Sequence, residues 1–236
     1  MEISEESHYY FLDSVGRKTQ AVAAVLLKIV FERIDAEDRL IFAIDDTPTK
    51  RYGPKVQGAG THHNPTPGPA GSKFLFGHSW VTLSRVVHHV RQGTIGLPLL
   101  AMLHVRKIDI EMAAEAVDWL HSQLPKDAKP PWVVVDGGYA KRGFLKSAMK
   151  AGSVVVARLR KDGALCDLPP VLPPGQKRGR GRPPIYGKNH LSLAKRAGQT
   201  RRWDEVTVKT TTDRTVVRRF KTFLATWRPA GGVMTL

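Results

Sequence analysis

Leu40–Thr47 reads LIFAIDDT. Five apolar residues run into two adjacent carboxylates, Asp45 and Asp46. The apolar run predicts a buried strand, and charge at its end is costly. Like charges repel, and a carboxylate taken out of water needs a cation, backbone N–H donors or a metal ion as partner. A second stretch has the same form: Pro130–Asp136, PPWVVVD, is a short buried strand closed by Asp136 and broken by Gly137-Gly138. If the two strands are neighbours, Asp46 and Asp136 stand side by side at one sheet edge. Hard oxygen ligands on rigid strands suit Mg²⁺ or Mn²⁺, and a metal pair there would activate an attacking hydroxyl and stabilise the leaving oxygen in phosphoryl transfer. On spacing alone, an equally good reading has Asp45, Asp46 and Asp136 capping turns.

The elements around these strands predict a mixed α/β sheet. Val22, Val25, Leu26, Ile29 and Val30 keep helical spacing, so a helix is expected from about Lys18 to Arg33, ended by the acidic turn Asp35–Asp38. Thr47–Ser72 holds five Gly and five Pro in 26 positions and reads as a long irregular loop. Lys73–Val90 and Leu97–Arg106 are strand-like, rich in β-branched, aromatic or leucine residues. Asp109 is placed to cap a helix over IEMAAEAVDWLHSQL, and a further helix is expected from about Ala140 to Lys150. Ser153–Arg160 follows as a strand, then a Pro-rich basic stretch, then strands at Val206–Thr211 and Val216–Trp227. Three extended runs followed by helix, strand, helix, strand imply a sheet with crossover connections.

Charge divides the chain. The net charge is +16, yet residues 1–136 carry 15 Lys/Arg against 16 Asp/Glu, whereas residues 137–236 carry 22 against 5. A one-sided basic surface of this size implies a polyanion, above all nucleic acid. Lys177, Arg178, Arg180, Arg182 and Lys188 are expected to meet phosphates, with Lys195, Arg196, Arg201 and Arg202 extending the stripe. Tyr186 and Trp203 are candidates to stack on bases. RGRGRPP, Arg178–Pro184, resembles the minor-groove AT-hook core, and a basic linker is an equal reading. Lys50 and Arg51, close after the first acid, are further phosphate candidates. No apolar run approaches the length of a membrane span, and the acidic start MEISEESHYY is not a signal peptide. The single Cys166 excludes a disulfide framework and a cysteine zinc cluster, and fits a reducing compartment. His62-His63 and His88-His89 do not chelate zinc readily, because adjacent strand residues point to opposite faces.

Four blocks also carry a family resemblance: Leu40–Ser84, TIGLPLLAMLHVRK, WVVVDGGYAKRGFLK and KRGRGRPPIYGKNHLSLAKRAG. They resemble the catalytic domain of bacterial insertion-sequence DDE transposases of the Tyr-Arg-Glu-Lys group. The resemblance covers most of residues 8–228. It implies a ribonuclease H-like mixed sheet with flanking helices and a basic, Pro/Gly-rich inserted arm. It further implies metal-dependent DNA strand cleavage and transfer in transposition, with two metals held by Asp, Asp and Glu. Asp46, followed by Thr47, matches the first acid, with Asp45 the lesser candidate for the same metal; Asp136 matches the second. Implied partners are double-stranded DNA, both element ends and target, and a second copy of the chain in a synaptic complex. The implied setting is the bacterial cytoplasm and nucleoid. The family Glu has no good match, since Glu205 in WDEVTVKT is the one Glu after Asp136 and reads as strand. The resemblance therefore implies a chain cut short at its C-terminal end, with an incomplete two-metal site and little activity. It divides the chain into a helical segment over 1–37, a ribonuclease H-like core over 38–161 and a basic inserted segment over 162–236. A non-catalytic basic DNA-binding protein, or another ribonuclease H-like nuclease, is the rival reading.

Overall fold

The structure is a computed structural model that describes residues 7, 10, 14, 16, 18–33, 39–53, 55–64, 71–89, 91–104, 109–171, 175, 179–201, 203–209 and 214–236. The expected acidic turn over Asp35–Asp38 and the candidate cations Lys177, Arg178 and Arg202 lie outside the described residues.

The main sheet is mixed. Its centre is β1 (Ile41–Lys50), with β3 (Phe74–His89) antiparallel on one side and β5 (Trp132–Val135) parallel on the other. β6 (Val154–Ala157) continues in parallel beyond β5. On the far flank of β3, β2 (Gly60–His63) pairs with its first residues and β4 (Gly93–Leu103) with the rest. Helix α2 (Asp109–Gln123) connects β4 to β5, and α3 (Arg142–Lys150) connects β5 to β6. These are the crossovers that parallel neighbours require. The arrangement is the ribonuclease H-like mixed α/β fold that the sequence implies.

Alternation on the strands explains the core. Phe42 and Ile44 on β1, Val81 and Leu83 on β3, and Val133 and Val135 on β5 are all buried, and they share one face by register. Met112, Ala113, Ala116, Val117 and Leu120 of α2 close over them, with Phe144, Leu145 and Ala148 of α3. Arg85 lies in this layer opposite Phe42, buried to 2% exposure. Its Nη1 donates to the carbonyls of Ile41 and Val86, each at 2.8 Å. The guanidinium thereby spans the seam between β1 and β3, with its donors met inside the core.

Four expectations need correction. First, β1 does not end at the acids. It runs on to Lys50, so Asp45 and Asp46 pair with Thr82 and Val81 inside the ladder. The long partner β3 supplies backbone bonds past the point where the apolar pattern stops. Second, the Gly/Pro-rich stretch is not all loop, because Thr47–Lys50 belongs to β1 and Gly60–His63 is β2. Third, α1 (Thr19–Arg33) buries Ala23 and Leu27, while Val22, Val25, Leu26 and Ile29 are exposed. This helix is apolar nearly all round, so periodicity does not select its inner face. Fourth, the run Val216–Trp227 splits at Lys221–Phe223 into β10 (Thr215–Phe220) and β11 (Leu224–Trp227).

The C-terminal third builds more than an extended arm. β11 pairs with β12 (Gly232–Thr235) and with β7 (Leu165–Cys166), and β7 pairs with β8 (His190–Leu191). Buried Thr226 ties this small sheet together: its Oγ1 donates to the Asp167 carbonyl at 2.8 Å and accepts from the Gly187 amide at 3.4 Å. Trp227 packs against the main core. A separate ribbon pairs β9 (Asp204–Lys209) with β10, and α4 (Leu193–Ala197) is a short basic turn capped by Ser192.

Gly77 is where β3 is flanked closely on both sides, by Lys50 of β1 and Gly60 of β2. A Cβ there would collide with the Thr49 carbonyl oxygen. Gly77→Ala is therefore expected to destabilise the chain by about 1–3 kcal/mol, the usual cost of overpacking. Equilibrium denaturation measured beside the parent chain checks this.

Candidate active site

The β1–β5 register sets the geometry. Ile44 pairs with Val135, so Asp45 and Asp136 are the next residues on two neighbouring parallel chains. Asp46 alternates to the other side, the face of Phe42 and Ile44 that α2 and α3 cover. The expectation that Asp46 and Asp136 emerge side by side thus changes in detail. Asp45 is the register neighbour of Asp136, while Asp46 looks toward the helices.

The turn after β5 fixes Asp136. Its Oδ1 accepts the amides of Gly138 at 2.7 Å and Tyr139 at 3.3 Å. The turn-capping role read from Gly137-Gly138 is therefore real, and it occupies one carboxylate oxygen. Asp45 is held in a related way, with Oδ1 accepting the Asp46 amide at 2.9 Å. Both acids are pre-oriented by backbone donors.

Two residues join the acids that the sequence did not single out for chemistry. Asp109, read as a helix cap, is the first residue of α2. Its Oδ1 is buried and accepts no hydrogen bond, and the His104 imidazole lies beside it, with Nε2 at 3.5 Å. Tyr139 follows the Asp136 turn, is buried to 3% exposure, and packs its ring edge-on against Phe144. Its hydroxyl has no hydrogen-bond partner. The Asp-Gly-Gly-Tyr order was visible in the sequence. That the start of α2 lies near the acids of β1 depends on how the crossover folds back, and no local pattern records it.

Burial and the charges of neighbouring acids act on these groups together. Partial burial pushes Asp45 above the usual 3.8, and the charge of Asp136 adds to the shift. Asp46 is raised first by burial, then by the charges of Asp45, Asp109 and Asp136. Tyr139 is driven far above its ordinary range by burial, then by Asp46, Asp109, Asp45 and Asp136. Its hydroxyl stays protonated at any working pH and can act only as a neutral donor or acceptor.

Hard oxygen donors, repelling carboxylates and two buried polar atoms without partners suit Mg²⁺ or Mn²⁺ in chemistry. Among the described residues, however, no three His, Cys, Asp or Glu side chains converge to ligand distance. The donors are present in kind, and an ion would have to draw them together.

The described basic residues of the C-terminal third lie on other elements than the acids. Arg180, Arg182, Lys188, Lys195 and Arg201 are exposed. Arg196 is half-buried, its guanidinium 4.2 Å over the Phe223 ring. Trp203 is committed internally: Nε1 donates to the Gln199 carbonyl at 2.6 Å, and the Lys221 ammonium lies 4.8 Å over its ring. Tyr186 is half-buried. Near the acids, Lys50 sits over Tyr52 at 5.2 Å, and Arg51 Nε donates to His78 Nδ1 at 3.2 Å. Glu205 lies on β9 and faces Arg219 across the ribbon at 3.7 Å.

A mixed six-stranded sheet flanked by crossover helices, with carboxylates on β1 and just after its parallel neighbour β5, defines the ribonuclease H-like class. The chain belongs to the DDE superfamily endonucleases, whose family model matches residues 1–229. That places it among domains of endonuclease type. A solved piggyBac transposase in a synaptic complex with hairpin DNA is similar at 9% identity and a TM-score of 0.32. The match covers 52% of this chain and 23% of that one, a likeness too distant to bear on the site. No curated protein matches the chain. No helix among the described residues is long and apolar enough to cross a membrane.

Asp45 and Asp46 hold protons more tightly in the folded chain than the usual 3.8. Between that value and their raised values, the native state binds more protons than the unfolded one. Their contribution to stability is thus most favourable below the window and falls as pH rises through it. Asp46→Asn is expected to raise the melting temperature of the metal-free chain at neutral pH by about 1–3 °C, given roughly 2–4 °C per kcal/mol for this size and solvent screening of an exposed carboxylate. The gain should vanish when both chains are compared near pH 3.

Proposed function

We propose that the chain is the catalytic part of a transposase that cuts and joins DNA strands with the help of Mg²⁺ or Mn²⁺. Asp46 and Asp136 would hold the ion, Asp46 from the helix-covered face of β1, with Asp45, the register neighbour of Asp136, on the opposite face. The observation that carries the reading is the delivery of acids by two neighbouring parallel strands to the same end of the sheet, in a chain of the DDE superfamily endonucleases. The ion, when bound, supplies charge for the pentavalent phosphate and a more acidic attacking hydroxyl. The chain's own part is placement. The ladder holds Asp45 and Asp46, the Gly138 and Tyr139 amides orient Asp136, and the exposed cations of the C-terminal third hold the DNA backbone. Such positioning and charge stabilisation account for most of the catalysis of phosphoryl transfer. The substrate is double-stranded DNA of an insertion sequence in a bacterial nucleoid, bound by two copies of the chain that pair two ends.

The test is nicking of supercoiled plasmid by the purified chain. Nicking should require Mg²⁺ or Mn²⁺ and fall at least about a hundredfold in Asp46→Asn and in Asp136→Asn. Metal-independent nicking, or full activity in both variants, would refute the reading. Plasmid binding without any nicking would favour a non-catalytic DNA-binding protein.

Binding has its own signature. Log affinity for duplex DNA should fall linearly with log salt by about 0.9 per phosphate neutralised. Replacing Arg180, Arg182 and Lys188 by Ala together should make the slope shallower by up to about 2.7. Fluorescence anisotropy from low to moderate salt measures it.

A further inference from the structure

The proposed ion site has, in Asp46 and Asp136, two acids from the family pattern, and neither explains the two orphaned polar atoms nearby. Asp109 Oδ1 is buried and accepts no hydrogen bond. The 3.5 Å approach of His104 Nε2 is beyond a good hydrogen bond. An acid at a helix N-terminus gains from the helix dipole while fully solvated, so the dipole does not account for burying one oxygen. Its neighbour in the first turn, Glu111, shows the ordinary case and is exposed. Tyr139 presents the complementary anomaly. A side chain 3% exposed carries a hydroxyl donor with no acceptor, among carboxylates that are natural acceptors. An unmet buried donor or acceptor costs about 1–3 kcal/mol. Two of them beside repelling acids mark a place where something is to be bound.

We propose, resting on the reading above, that Asp109 is a further ligand of the divalent ion and that the Tyr139 hydroxyl is the positioning group that faces the ion's hydration shell. The ligand set then comes from three elements: Asp46 on β1, Asp136 after β5 and Asp109 at the start of α2. A hydrated hard cation meets both anomalies together. Its charge would offset the gathered carboxylates, and a water bound to it would donate to the Tyr139 hydroxyl oxygen, since Mg²⁺ keeps several waters when protein-bound. The His104 imidazole occupies Asp109 only loosely, so little is lost when the carboxylate turns to a cation.

The experiment is Mn²⁺ titration of the purified full chain, with free Mn²⁺ read by electron paramagnetic resonance and folding checked by circular dichroism. The chains are the parent, Asp46→Asn, Asp109→Asn, Tyr139→Phe and Glu111→Gln. Asp109→Asn should weaken Mn²⁺ binding at least tenfold, while Glu111→Gln changes it less than twofold. Tyr139→Phe should weaken it about threefold or more and raise the melting temperature of the metal-free chain, because it removes an unmet donor. A structural role alone would give the reverse, a lower melting temperature with Mn²⁺ affinity intact. If Asp46→Asn loses the ion while Asp109→Asn and Tyr139→Phe keep parental affinity, this inference is overturned and the functional reading stands. If the parent chain takes up no Mn²⁺ at millimolar concentration, the functional reading fails and this inference with it.

Discussion

Everything at the acidic end depends on β1 being hydrogen-bonded along both edges. Ten residues pair with β3 and four with β5. A strand bonded on both sides cannot slip by one residue without turning its apolar face outward. With Phe42 and Ile44 locked inward, Asp46 must lie on their face and Asp45 on the opposite one. The acids are therefore placed by the apolar residues that precede them. The same register brings Asp136 alongside, because β5 is itself locked by Val133 and Val135.

This placement works against stability. Burial and mutual repulsion raise Asp45 and Asp46, and two polar atoms close by stay unmet. The fold carries this cost because the layer beneath is well packed, with α2 and α3 closing a continuous apolar cluster. Strain of this kind is usual at sites where binding, rather than folding, completes the interactions.

Much of this was legible in the chain itself. LIFAI and PWVVV announce buried strands by composition, so the sheet centre follows from local chemistry; the expected neighbours were Asp46 and Asp136, whereas the register sets Asp45 beside Asp136. What failed did so for physical reasons. β1 continues past its apolar stretch because β3, far along the chain, offers it bonding partners. α1 has apolar residues on every side, so Val25 and Ile29 looked as fit for burial as Ala23 and Leu27. The small sheet around Thr226 is assembled from two-residue pieces separated by long stretches, and no periodicity survives in segments that short. Asp109 carried the ordinary mark of a helix start, and only the folded crossover shows what it stands beside.

The two ends of β1 are held by opposite means. At Ile41 the buried Arg85 guanidinium clasps carbonyls from β1 and β3, deep in the core. At Lys50 the strand runs out beyond its parallel neighbour, into exposed and mutually repelling residues. Local opening costs least where few apolar contacts and many solvated bonds meet. The apolar half of the strand is therefore fixed from both edges and by the Arg85 clasp, whereas the half that carries the acids is fixed by β3 alone.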